Sequence, residues 1–338
     1  MKKIVYIGNQ LQNQNNTPTT IDTLSVNLKK EGFLIETYSK KKNYFLRLVD
    51  MIYGVLKNKK ATVVLIDTYS TFAFWYFVTI AFLCIILKVK FIPYLHGGNL
   101  PARLDANSKL CKWLFSKSYS IISPSGYLID EFEKRGYANL RLIPNTIEIK
   151  NYPFLECHPT FPKILWVRSF AQLYNPNLAI DVLVELQKKY PLAELCMVGP
   201  DKDGSLMQTK QYAANKGVNV VFTGKISKKE WVKLAADYNL FLNTTNFDNT
   251  PVSVIEAMAL GLPVISTNVG GLPFLIQNGK NGILVPPNNC LALADAIVNI
   301  TQNQILYKTI QINARKTAEQ WDWSQVKQKW SSLFNSIN

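Results

Sequence analysis

The chain has 338 residues, of which 48% are hydrophobic and 18% charged, and a net charge of +15. That composition belongs to a globular protein and excludes disorder, and the length suits two domains of ordinary size. Cys84, Cys111, Cys157, Cys196 and Cys290 are scattered with no CxxC pair, and His96 and His158 are the only histidines. This pattern argues against a disulfide framework or a zinc site and for reduced thiols in a cytoplasm. The opening "MKKIVYIGNQ" has too few apolar residues before "NQLQNQNNT" for a signal peptide and is expected to be a first strand.

Short β-branched runs follow: "FLIETY", "ATVVLI", "KFIPYL", "YSIISP" and "LRLIP", separated by stretches of helical period. Such alternation predicts a parallel, doubly wound α/β sheet. The run "FAFWYFVTIAFLCIIL", 72 to 87, has 16 apolar or nearly apolar residues, short of the roughly 20 that span a bilayer. Its place between two strands predicts a buried or membrane-touching crossover helix. Residues 1–150 carry 21 Lys and Arg against 10 Asp and Glu, an excess of +11, whereas residues 151–338 carry only +4. A basic half points to an anionic partner, and without aromatic-plus-basic or helix-reading motifs a membrane surface is favoured over nucleic acid. Solvated helix faces would produce the same count.

Around 151–162 the helical period lapses among prolines, which predicts a linker between domains over 1–150 and 163–320. A second series of strands is expected from "KILWVRS", "AELCMVG", "VNVVFTG", "YNLFLN", "PVIST" and "GILVPP". The amphipathic helix 321–338 closes the chain and could pack back on the first domain. Ligands of such sheets bind beyond the carboxyl ends of the strands. The residues to interrogate are therefore His96 and Gly97, Arg168, Gly199, Asp248, and Gly270 with Gly271.

The densest of these segments is "DNTPVSVIEAMALGLPVISTNVGG", 248 to 271. Thr250 is the expected N-cap and Pro251 the first helical residue, leaving outward-pointing amides near 252–254 as an anion site. Glu256 lies about 9 Å along the helix, placed to accept hydrogen bonds from vicinal hydroxyls. Asp248 could hold a second hydroxylated ring beyond the phosphates. The spacing equally allows a turn-capping Asp248 and a solvated Glu256. "DKDGS", 201 to 205, contains a D-x-D of metal-binding type, but the glycine that follows favours a surface turn. No P-loop and no G-x-S-x-G elbow is present, so "HGG" at 96–98 is not read as a hydrolase oxyanion loop.

The 248–271 segment resembles the donor-site signature of the GT-B glycosyltransferases of family 4, in which two glutamates flank seven residues; here the first is Asp248. "LIPNTIEI", "HGGNLP" and "WDWSQV…W" are also similar to that family, so the resemblance covers nearly the whole chain. It implies a GT-B fold of two facing Rossmann-like domains with an interdomain cleft, and retaining transfer from a nucleotide-sugar without metal or cofactor. Carried over residue by residue, Glu256 holds the ribose and Asp248 the donor sugar. Asn249, Thr250, Pro251 and Val252 supply backbone contacts, and Arg168 grips the diphosphate. His96 has a polarising or positioning role, with Gly97 and Gly8 also in the substrate site. The family's lysine about six residues after the arginine is replaced here by Tyr174 and Asn175. Lys225 could compensate or be a turn lysine, and Phe274 stands where many relatives have a glutamate.

The expected function is hexosyl transfer to a glycan or lipid-linked glycan in cell-surface polysaccharide synthesis, on the cytoplasmic face of the membrane. The competing readings are a sugar-nucleotide epimerase of the same architecture and a non-catalytic GT-B scaffold subunit. The Asp-for-Glu exchange and the missing lysine motivate the scaffold reading.

Overall fold

The computed structural model describes residues 2–10, 19–157 and 159–337. His158 lies outside the described residues. Among these, six strands form a first parallel sheet: β1 (Lys3–Ile7), β2 (Leu34–Tyr38), β3 (Val63–Thr68), β4 (Phe91–Leu95), β5 (Ile121–Ser123) and β6 (Leu140–Leu142). Six more form a second: β7 (Lys163–Val167), β8 (Glu194–Val198), β9 (Val221–Gly224), β10 (Leu240–Asn243), β11 (Val264–Thr267) and β12 (Ile283–Val285). Each strand falls on a run expected from the sequence, with β3 continuing two residues past its own, through Asp67 and Thr68. Near-continuous Val, Ile and Leu is what a strand covered by helices on both faces requires.

The chain divides into two compact units, Met1–Asn145 with Trp323–Asn338, and Thr146–Asp322. In the first unit successive residues serve opposite faces, as the period of two demands. Val5, Ile7, Val64 and Ile66 pack with Met51, Phe77 and Phe115 on one side. Ile4, Tyr6, Val63 and Leu65 pack with Ile21, Leu28 and Trp330 on the other. Trp330 belongs to the helix Trp323–Asn335, whose Val326, Leu333 and Phe334 are buried in the same cluster. The Trp330 ring meets Tyr94 edge-on at 5.4 Å. Residues 151–157 and 159–162 fall in the second unit, where the Leu155 amide donates to Leu260 O at 2.8 Å and Gln311 Nε2 donates to Leu155 O at 2.7 Å. Prolines remove the helical period there, but Tyr152 still finds a core to bury against.

The strand orders are β2-β1-β3-β4-β5-β6 and β12-β11-β10-β7-β8-β9. In each the chain runs outward in one direction and then returns to run in the other. Reversals fall between β1 and β3, and between β7 and β10. Crevices at such reversals, beyond the carboxyl ends of the strands, are where open α/β sheets hold ligands. The apolar run at 72–87 forms the helix Phe74–Ile86, and no described helix is long and apolar enough to cross a membrane.

Trp330 is 1% exposed, so Trp330→Ala is expected to remove about 3–5 kcal/mol of stability from the first unit. Urea unfolding followed by tryptophan fluorescence and circular dichroism measures it. A loss below about 1 kcal/mol would mean that the helix carries no part of that core.

Candidate active site

At the second reversal, Arg168 directly follows β7 and the segment 244–251 follows β10. The segment is tied down by threonines. Thr244 Oγ1 accepts from Trp166 Nε1 at 3.0 Å and donates to Tyr174 O at 2.9 Å. Thr267 Oγ1 donates to Thr245 O at 2.6 Å. Glycines allow the backbones to close up. A Cβ on Gly270 would stand 2.1 Å from Asp248 O, and one on Gly271 1.6 Å from Asn249 O. Gly271 N donates to Asp248 O at 2.9 Å. The double glycine thus supports the loop that carries Asp248. Gly199 does the same for Arg168, whose carbonyl oxygen would lie 1.8 Å from an added Cβ.

Arg168 forms an ion pair with Asp248, and both side chains are largely buried. The guanidinium lies over the Tyr174 ring, 4.2 Å from its centroid. Burial pulls the Arg168 pKa below its ordinary value, while Tyr174 acts in the opposite sense. Its Nε has no hydrogen-bond partner among the described residues. Tyr174, at the place of the family's lysine, therefore supplies an aromatic face for the arginine and no second cation.

The helix over 252–260 begins one residue later than the sequence suggested. Pro251 is the N-cap and Val252 the first helical residue, so Thr250 does not cap it. The cap has no side-chain oxygen to offer. Among the described residues no protein acceptor meets the amides of Thr250, Val252 or Ser253. The expected row of amides is shorter than Asn249 to Val252, however. Asn249 N donates to Asp248 Oδ1 at 2.9 Å, Val254 N already donates to Pro251 O, and Pro251 has no N–H. What remains is a helix N-terminus with free donors, where an anion is favoured by both hydrogen bonding and the helix dipole.

Glu256, one turn on, is buried rather than solvated. Its Oε1 accepts from Tyr152 Oη at 2.7 Å and pairs with Lys228. Neither contact uses Oε2. Burial, with the nearby Glu256 carboxylate adding to it, pushes the Tyr152 phenol well up, so it remains a donor. Tyr152 and Lys228 were not among the candidates from sequence. Lys228 follows the capping Ser227 of a short helix, a signal that gives the helix start but not its contact with Glu256. Lys225 directly follows β9 and is exposed. In "DKDGS", Asp201 Oδ1 accepts from Gly204 N at 3.0 Å and Asp203 Oδ2 from Gln172 N at 3.0 Å. Both acids organise a turn and the start of the helix Ser205–Lys216.

The first unit has its own cluster at the β1/β3 reversal, described separately. Asp67, near the end of β3, is fully buried and its Oδ1 accepts from His96 Nε2 at 2.9 Å and from Tyr6 Oη at 2.9 Å. Tyr69 Oη donates to Oδ2 at 3.3 Å. Tyr69 stacks on His96 at 5.2 Å and Tyr94 contacts it at 4.3 Å. Burial, followed by the Asp67 charge, pushes the Tyr6 and Tyr69 phenols far up, which keeps both as donors. Gly8 completes this wall: a Cβ there would be 2.2 Å from Asp67 Oδ2. Gly97, at φ +92° beside His96, takes a conformation that glycine adopts freely. Asp67 was missed from sequence because "ATVVLID" is a strand run, and only the pairing of β3 with β4 brings its acid under His96.

Asp67→Ala is expected to destabilise the first unit by roughly 2–6 kcal/mol, because Tyr6 Oη and His96 Nε2 each lose a buried partner worth about 1–3 kcal/mol. Asp67→Asn, which keeps one acceptor oxygen, should cost less. Equal melting temperatures for Asp67→Ala and the unaltered protein would show that the carboxylate supports neither group.

Residues 154–317 match the family model "Glycosyl transferases group 1". Glycogen synthase of Mycobacterium tuberculosis is 24% identical over 222 residues, 63% of this chain and 53% of that protein. The poly(ribitol-phosphate) α-N-acetylglucosaminyltransferase of Staphylococcus aureus is 26% identical over 226 residues, 64% of this chain and 43% of the other. The chain thus spans about half the length of the curated relatives it matches. Among solved structures, sucrose-phosphate synthase of Thermosynechococcus elongatus superposes with a TM-score of 0.79 at 17% identity, covering 100% of this chain and 99% of that one. HepE of Anabaena in complex with UDP gives a TM-score of 0.80 at 18% identity, over 99% and 100% of the two chains. HepE has also been solved with UDP-glucose. With these matches and the two parallel sheets, the chain has the GT-B fold, and its residues 154–317 belong to the glycosyl transferases group 1 family.

Proposed function

We propose that the chain is a retaining, metal-independent glycosyltransferase that moves a hexosyl group from a nucleotide-sugar to a glycan or lipid-linked glycan acceptor, in cell-surface polysaccharide synthesis. The observation that carries this reading is the group at the β7/β10 reversal: Arg168 beside an uncapped helix N-terminus, with Glu256 held one turn along that helix. A buried cation and free amides suit a diphosphate, and a carboxylate with one oxygen unused suits vicinal hydroxyls. The UDP and UDP-glucose bound by HepE make UDP-sugars the first donors to try.

In this reading the bond between the sugar's anomeric carbon and the diphosphate oxygen breaks as an acceptor hydroxyl attacks the same face. The hydroxyl proton leaves towards the departing phosphate oxygen. Negative charge grows on the diphosphate, where Arg168 and the amides of Val252 and Ser253 act on it with little reorganisation. Donor entry displaces Asp248 from Arg168, which frees the aspartate for the hydroxyls of the transferred sugar. Glu256 binds the ribose, and Asn249 and Thr250 line the donor. The first unit receives the acceptor, with His96, fixed by Asp67, in a positioning or polarising role and Gly8 and Gly97 beside it. Lys225 contributes to the nucleotide end. The enzyme works on the cytoplasmic face of the membrane.

Glu256→Gln should weaken donor binding by roughly 1.5–3 kcal/mol through loss of a charge-assisted hydrogen bond; calorimetry with a UDP-sugar measures it, and unchanged affinity removes the ribose assignment. Asp248→Asn should lower kcat more than donor affinity. Arg168→Ala should reduce kcat/KM by about 10²-fold or more. Turnover should survive EDTA; loss in chelator with recovery on adding Mn²⁺ would overturn the metal-independent mechanism. Product analysis without acceptor separates transfer from epimerisation, and a protein that binds the donor but turns over none of a panel of acceptors would be the scaffold.

A further inference from the structure

One face of the first unit is apolar where a water-soluble protein is normally polar. The helices Tyr44–Lys57 and Phe74–Ile86 both supply residues to the core on the same side of the sheet. Their outward faces therefore point the same way, away from that sheet. On the first helix Phe45, Val49, Tyr53 and Leu56 are all exposed, at the i, i+4, i+8, i+11 spacing of a single stripe. A second stripe, Trp75, Phe82 and Ile86, is exposed on the other helix. An amphipathic surface helix should carry charged residues there.

The most exposed rings gather at one end. Phe45 is 71% exposed and Phe72 65%. The Tyr44 and Phe72 rings meet edge-on at 6.1 Å, and Tyr76 Oη donates to Tyr44 O at 3.1 Å. Beside them stands the segment of Lys40, Lys41 and Lys42, all exposed. None of the three lysines forms an ion pair among the described residues. Their segment is nevertheless held in place. Arg47, itself buried, donates from Nε to Lys41 O at 2.8 Å and from Nη2 to Lys42 O at 2.9 Å. Its Nη1 donates to Asn9 Oδ1 at 3.2 Å, and Asn9 adjoins Gly8.

We propose that this corner, Lys40–Lys42 with Tyr44, Phe45, Phe72 and Trp75, is a docking surface for an anionic lipid bilayer. The lysines meet acidic headgroups while the rings enter the interfacial layer, an arrangement suited to aromatic residues beside cations. Charge complementarity selects this partner, since the ring cluster is flanked by unpaired cations and a protein groove of like composition would need acids to match them. The corner also has a fixed relation to the Gly8–Asp67–His96 cluster. Both lie at the carboxyl edge of the first sheet, where β2 hands over to the lysine segment and β3 to Phe72, and Arg47 links the two through Asn9. Docking would thus present the acceptor edge of the first unit to the membrane, where a lipid-linked acceptor resides. This last step rests on the proposed function; the docking itself does not.

The test is co-sedimentation of the full chain with vesicles of phosphatidylcholine alone and of phosphatidylcholine with phosphatidylglycerol, at low and high salt. The protein should sediment with the anionic vesicles and be released by salt. The triple substitution Lys40→Gln, Lys41→Gln, Lys42→Gln should lower partitioning about fivefold per lysine, roughly a hundredfold together. Phe45→Ser with Phe72→Ser should lower binding at high salt as well. Circular dichroism and UDP binding, both expected unchanged, exclude misfolding as the cause. Absence of binding by the unaltered chain, or variants that bind like it, would overturn the proposal. So would a dimer that Phe45→Ser with Phe72→Ser dissolves while vesicle binding persists, which would identify a second copy as the occupant. Vesicle binding by a chain that neither binds UDP nor turns over any donor would leave the surface intact and remove the glycosyltransferase reading.

Discussion

A guanidinium buried in protein needs an anion next to it, because desolvating an isolated charge costs more than a domain can spare. Arg168 meets that requirement with Asp248, and much of the second unit is arranged around the pair. Asp248 sits on a loop that hydrogen bonds alone would not bring close enough. Gly270 and Gly271 let a neighbouring backbone come within a distance that any side chain would forbid, and Gly199 does so on the side of Arg168. Thr244 and Thr245 then fasten the loop to the turn over 172–174, which carries Tyr174 beneath the arginine, and Thr267 ties it to the end of β11. The glycine-rich 248–271 segment is thus chiefly a device for close backbone approach, and its carboxylates are partnered within the protein until a ligand competes for them.

The first unit uses the same topological position with the opposite sign. Its buried charge is a carboxylate, Asp67, surrounded by donors from Tyr6, Tyr69 and His96. Such a network is worth having only when each member is satisfied, since an orphaned polar group in low dielectric is costly. Here the phenols are held in the donor form by burial, and Gly8 leaves the carboxylate the space it occupies. One reversal therefore offers a fixed cation and free amides, the other a fixed imidazole on a buried acid. In the proposed reaction these are complementary tasks, leaving-group stabilisation and acceptor handling.

Charge is divided along the same lines. The excess of basic residues belongs to the half of the chain with the exposed aromatic stripes. Lys40, Lys41 and Lys42 have no ion pair among the described residues, whereas Lys163, Lys188 and Lys216 of the second unit have acidic partners. Surface lysines paired with carboxylates contribute little to binding an anion; unpaired ones on a pinned backbone are available to it.

By itself the sequence determined the class and most of the elements. Strand runs rich in Val and Ile, separated by helical periods, can only be buried on both faces, so twelve parallel strands in two sheets were legible before any coordinates. The chemical types at Arg168, Asp248, Glu256 and His96 were also legible, because each follows a strand or opens a helix within a distinctive motif. Local spacing could not decide what those groups touch. Whether Thr250 or Pro251 caps the helix depends on the path of the loop, and that path is set by the glycines across from it. Whether Glu256 is solvated depends on Tyr152, 104 residues away in the chain. Asp67 becomes the partner of His96 only because β3 pairs with β4, and Arg47 reaches Asn9 only because β1 lies beside β2. Those contacts join residues distant in sequence, and strand order, which the hydrophobic pattern leaves open, decides them.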